Sequence, residues 1–153
     1  MRSRAAAAIL ATTLAVTACG GHTATKQDVI ARGNAICAGA LRGIRALPPP
    51  APGVTSSAAL SAYLQQAIPL LDKELTGLRA LPRPALNRSL LMRYEAAQAT
   101  AEHEYRALAA AARTGDAGAV ADALAALRSN PAGALAAQYG LTQCASAAGT
   151  SVS

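Results

Sequence analysis

The chain has 153 residues, 52% of them hydrophobic, with four tyrosines, no tryptophan, no phenylalanine and a formal charge of +6 at pH 7. The positive charge is carried mostly by single arginines spread along the chain and not gathered into a basic stripe, a pattern that argues against nucleic acid as a partner. β-Branched and aromatic residues are too scarce for a sheet-based core, so Leu, Ile, Val and abundant Ala must fill the interior of closely approaching helices.

Arg2 and Arg4 precede an apolar run from Ala5 to Ala18 that ends in Val16-Thr17-Ala18-Cys19-Gly20. A membrane-spanning helix needs roughly 20 apolar residues. This run is shorter and consists largely of Ala and Thr, which is the build of a signal-peptide hydrophobic segment. An ordinary secretory signal cut among Ala15, Val16, Thr17 and Ala18 is one reading. A cysteine just past the cut, followed by Gly20 and Gly21, favours the other: a lipoprotein signal over residues 1–18, with the new N-terminal Cys19 carrying the lipid. Each buried methylene contributes about 0.8 kcal/mol, and stable anchoring takes more than one acyl chain. Residues 19–24 then form a tether, whose Gly20 to Ala24 stretch reaches at most about 17 Å. His22 lies in it and is expected to be solvent-exposed.

With Cys19 acylated, Cys37 and Cys144 remain as an even pair, and export would place them in an oxidising compartment. A bridge between them is expected, two free buried thiols being the alternative. Closing a loop of roughly a hundred residues stabilises the fold by up to about 4.7 kcal/mol in the chain-entropy account.

The helical domain is expected over residues 25–145. Thr25 followed three positions later by Asp28 has the form of a capping box. Val29, Ile30, Gly33, Ile36, Cys37, Ala40, Leu41, Ile44 and Leu47 then recur at three and four, one face of a first helix. The proline run from Pro48 stops it. A second helix opens near Ser56 or Ser57 and runs to Leu81, with Leu60, Leu64, Ala67, Leu71, Leu75 and Leu78 as its buried stripe. Pro69 falls inside it and predicts a kink. Pro82-Arg83-Pro84 ends this helix, and Pro84 is expected to open the third.

The third helix carries the most regular stripe: Leu86, Leu90, Tyr94, Ala97, Ala101, Tyr105, Leu108 and Ala112. Gly115 should end it in a left-handed conformation, and Asp116 should cap the fourth helix, whose stripe is Val120, Leu124 and Leu127. Asn130-Pro131 restarts the chain in a new direction. Tyr139-Gly140-Leu141 has the composition of a Schellman stop, and residues 146–153 are expected to be a disordered tail.

These elements predict an all-α fold: an antiparallel up-down four-helix bundle with a broken C-terminal helix and one disulfide. An elongated or domain-swapped helical dimer is the rival. Because Cys37 lies roughly 18 Å along its helix, the segment after Pro131 should cross the bundle to bring Cys144 to that height.

The residue inventory points away from catalysis, cofactors and metals. Glu102-His103-Glu104 cannot converge on one ion, because neighbours on a helix diverge by about 100°. Glu102 is instead expected to pair with Arg106 across one turn. Met92 and His103 are about 16 Å apart along one helix and cannot ligate one haem iron. A hydrolytic triad would have to be assembled around a single domain histidine, and phosphate-binding glycine loops are missing. The carboxylate pairs Asp72 with Glu74 and Asp116 with Asp122 read as helix surface and caps. Arg79, Arg83 and Arg88 should gather at the bundle end nearest the anchor, as a candidate membrane-facing cluster or as solubilising helix-end charges.

The Ile36-Cys37-Ala38 segment, the proline connector, the leucine-rich middle helices and the ending Gly140-Leu141-Thr142-Gln143-Cys144 together resemble small lipoproteins and secreted proteins of actinobacteria. The resemblance covers essentially the whole mature domain, through short structural motifs. It implies an extracytoplasmic helical domain bridged from Cys37 to Cys144. It implies no catalytic residue, since that group has no settled activity. The expected role is a membrane-anchored, non-enzymatic binding or scaffold module of the cell envelope, with an envelope protein as partner. A carrier or sensor of a small hydrophobic ligand is the alternative, should the Ala-rich walls and the Pro69 kink leave an apolar cavity.

Overall fold

The computed structural model describes residues 24–48 and 56–150, so the signal segment, Cys19, His22 and most of the proline connector lie outside the described residues. Among the described residues six helices follow one another: α1 (Lys26–Arg45), α2 (Ser57–Arg79), α3 (Arg88–Thr114), α4 (Ala117–Ser129), α5 (Ala132–Tyr139) and α6 (Thr142–Thr150). Local chemistry accounts for most of their ends. The Thr25–Asp28 capping box forms in full, with the Asp28 carboxylate accepting from the Thr25 N–H at 2.8 Å and the Thr25 hydroxyl accepting from the Asp28 N–H at 3.2 Å. Ser56 caps α2 and Asp116 caps α4 through their side-chain oxygens, each bonded to the backbone N–H three residues on.

Gly115 and Gly140 end α3 and α5 at φ 73° and 103°. At Gly140 both bonds of a Schellman stop are made: Leu141 N–H to the Ala136 carbonyl at 2.9 Å and Gly140 N–H to the Ala137 carbonyl at 3.1 Å. Leu141 is driven into the core by this turn and is wholly buried. Asn130 accepts from the Ala132 N–H at 2.8 Å and donates to the Ala97 carbonyl at 3.0 Å, which fastens the α4–α5 corner to α3.

Three local expectations differ from the structure. Pro84 does not open α3; that helix begins at Arg88 after Asn87, which adopts the left-handed conformation at φ 60°. Leu86 therefore leaves the stripe and stands exposed, while Leu91 is wholly buried in α3's first turn. The backbone after Ala145, read from sequence as a tail, continues α6 through Thr150. Pro69, expected to kink α2 and not to break it, sits on the solvent side of that helix, which runs through it without a break, and water there can satisfy the carbonyl that loses its partner.

The α2–α3 pair is the long antiparallel spine: Asp72 meets Arg106 and, further along, Arg83 meets Glu95. α1 lies antiparallel along the second half of α2, with Ile36 against Gly77 and Leu70 against Gly43. One core cluster joins α1, the end of α2, the start of α3, α5 and α6, around Tyr94, Tyr139, Leu78, Leu91 and Leu141. A second cluster gathers Leu64, Leu108, Ala123 and Leu127 where α4 covers the other half of the spine. The segment after Pro131 passes from α3, which α5 packs against, to α1, which α6 packs against. It thus brings Cys144 to Cys37.

Candidate functional site

Cys37 and Cys144 are bonded, with Cα atoms 5.1 Å apart, and both are buried. The bond closes the first helix onto the last. Asn34, one turn before Cys37, strengthens the same junction: its side-chain oxygen accepts from the Gln143 N–H at 2.9 Å, one of the donors that a helix start leaves without an internal partner.

Against this disulfide lies a buried polar group that sequence reasoning missed. Glu74, read there as helix surface, is 6% exposed, and one of its carboxylate oxygens comes within 4.8 Å of both sulfurs. Gln98 donates to the Tyr94 hydroxyl at 2.9 Å and to Glu74 Oε1 at 3.5 Å, while the Tyr94 hydroxyl lies 3.9 Å from Cys37 Sγ. Burial raises the Glu74 carboxyl from 4.5 to about 7. The Tyr94 hydroxyl is pushed up, first by burial and then by the charge of Glu74. The cluster can therefore hold or release one proton near neutral pH. With both sulfurs bonded to each other, Cys37 and Cys144 have no thiolate to offer, so the Cys37–Glu74–Cys144 set does not form a metal site in this state.

The signal for Glu74 is visible in retrospect. Ala67, Leu71, Glu74 and Leu78 are spaced 4, 3 and 4, so the acid stands in the apolar stripe of α2. Glu95, four residues after Leu91, does the same in α3 and is likewise buried. Its Oε2 pairs with Arg83 at 2.9 Å while Oε1 has no hydrogen-bond partner, nor does the buried Tyr139 hydroxyl. Burial raises the Tyr139 hydroxyl, with a further contribution from Glu95.

A cleft between α2 and α3, lined by Leu71, Leu75, Ala101 and Tyr105 with Glu74 and Gln98, has room for about 20 Å³. That holds one water. His103 is exposed on α3, on the solvent side of a helix whose Glu102 pairs with Arg106, as expected from their spacing. Arg106 also donates to both oxygens of Asp72 at 2.9 Å.

The arginine cluster is brought together at the α2–α3 turn. The Arg83 guanidinium donates to the Arg79 carbonyl at 3.4 Å, and the Arg88 guanidinium donates to the Arg83 carbonyl at 3.3 Å. Arg83 alone of the three has its charge matched by a carboxylate, that of Glu95.

Fold and site together define a disulfide-closed, all-helical domain with a buried acid beside the bridge. No protein-family model, no curated protein and no solved structure matches the chain.

Proposed function

We propose that this protein is a lipoprotein anchored through Cys19 on the extracytoplasmic face of the cell membrane, where it serves as a non-enzymatic binding or scaffold module of the envelope. The observation that carries the reading is the buried Cys37–Cys144 bond, because disulfides persist in oxidising compartments and are rare in the cytosol. The bond uses Cys37 and Cys144, so of the three cysteines Cys19 is the one that remains for acylation. We read the fold as an antiparallel up-down four-helix bundle whose fourth member is broken into α4, α5 and α6; the antiparallel α1–α2 and α2–α3 pairs support it. The α2–α3 cleft, with room for a single water, lends no support to a hydrophobic-ligand carrier.

Mass spectrometry of the native polypeptide from membranes tests the anchor. The expected N-terminus is Cys19 bearing acyl chains. A water-soluble polypeptide starting at Met1 with reduced cysteines would overturn the compartment and the envelope role together. Crosslinking in intact cells then tests the scaffold: a stable protein neighbour is expected, and its absence argues against this role.

A further inference from the structure

We infer that the α2–α3 turn is a membrane-contacting surface that seats Leu86 in the headgroup layer of an anionic bilayer and so fixes the orientation of the domain. The inference rests on the anchored reading above and adds what the anchor alone does not supply, a defined face toward the lipid. Two large hydrophobic residues stand out as exposed among the described residues, Leu86 at 66% and Met92 at 51%, and both fall at this one end of the molecule. Leu86 stands in the turn directly before Asn87, which adopts the left-handed conformation. Met92 lies four residues after Arg88, hence on the same face of α3.

Around them the charge is positive. Arg79, Arg88 and Arg93 are exposed and make no ion pair among the described residues. Of the acids at this end, Glu95 is paired with Arg83 and Asp28 is turned onto the Thr25 cap. The Arg83 and Arg88 bonds to the carbonyls of Arg79 and Arg83 stiffen the turn, so presenting Leu86 requires little ordering on contact.

Geometry brings this end to the lipid. α1 and α2 are antiparallel, with Gly33 beside Leu81, so the start of α1 and the α2–α3 turn point the same way. A tether of at most about 17 Å from the acylated residue leaves that end at the headgroups. An apolar tip ringed by arginines fits an anionic lipid surface, with headgroup phosphates meeting the guanidinium groups and the leucine reaching the acyl boundary.

The chain contains no tryptophan, so Leu86→Trp introduces a single reporter in the full, lipidated protein. Ala117→Trp, exposed at the start of α4 and about 40 Å away along α3, is the control. In vesicles of phosphatidylglycerol and phosphatidylcholine, the Leu86→Trp emission is expected to shift to the blue and to be quenched by brominated acyl chains several-fold more than that of Ala117→Trp. Replacing Arg79, Arg88 and Arg93 together by Gln, or using phosphatidylcholine alone, should remove most of the difference. Equal, water-like emission from both reporters in a chain that remains membrane-bound overturns the proposal and leaves the anchor standing. A blue shift that grows with protein concentration in detergent without vesicles overturns it in favour of a contact between copies. If Cys19 proves unacylated, quenching of the Leu86→Trp chain by added anionic vesicles still supports the surface, and no quenching overturns it.

Discussion

At the scale of single residues, Glu74 makes the sharpest demand. Its carboxyl titrates near 4.5 in the unfolded chain and at about 7 in the folded one, so between those values the native state binds the extra proton and stability falls as pH rises. The contribution is fully present below pH 4.5 and lost above 7, a total of about 3 kcal/mol at 1.36 kcal/mol per unit. Thermal denaturation should show the midpoint falling from pH 5 to pH 8. In Glu74→Gln this segment of the profile should flatten, leaving the variant more stable than the parent at pH 8. Parallel profiles would mean that the carboxyl is solvated. Tyr139 supplies the opposite test. Its buried hydroxyl has no partner, and an unmade bond of this kind costs about 1–3 kcal/mol. Tyr139→Phe keeps the ring under the Lys26 ammonium, which sits 5.1 Å from the centroid, and should leave stability equal or higher in urea unfolding. A marked loss would reveal a bridging water.

At the scale of elements, the boundaries that were legible are those written in backbone chemistry. The Thr25–Asp28 box, the Ser56 and Asp116 caps, and the glycine stops at 115 and 140 were all readable because each satisfies specific orphan groups at a helix end. The start of α3 was not readable, since Pro84 offers a plausible first residue while the decisive feature, Asn87 in a left-handed conformation, depends on the turn as a whole. Likewise α6 has no large apolar residue of its own; the disulfide and the Asn34 cap hold it on α1. Glu74 and Glu95 were not legible because an acid within an apolar helix stripe breaks the pattern that marks burial. Close approach of α1 and α6 turns on Gly33: a β-carbon there would lie 2.5 Å from Cδ2 of the wholly buried Leu141. Gly33→Ala should therefore cost about 1–3 kcal/mol, read as a drop in the urea midpoint, with an unchanged midpoint showing that Leu141 can give way.

At the scale of the whole molecule, the all-helical class followed from what the composition lacks, and the Cys37–Cys144 pairing from parity and compartment. The six-helix division and the two separate core clusters did not, because a short α5 and α6 crossing from α3 to α1 are set by tertiary packing that leaves no periodic trace. The bridge spans 107 positions, so its removal in Cys37→Ser/Cys144→Ser should lower unfolding free energy by about 2–5 kcal/mol, with the first core cluster as the part most affected. Equal stability with and without the bond would show that packing alone closes the ring.

That closure also decides how the molecule would come apart in the hands of a protease. A single nick anywhere between the two half-cystines, for instance in the proline-rich stretch after α1, would yield two pieces that still travel together on a non-reducing gel and separate only with dithiothreitol. A domain built this way can suffer a cut backbone between Cys37 and Cys144 and still keep both pieces covalently joined.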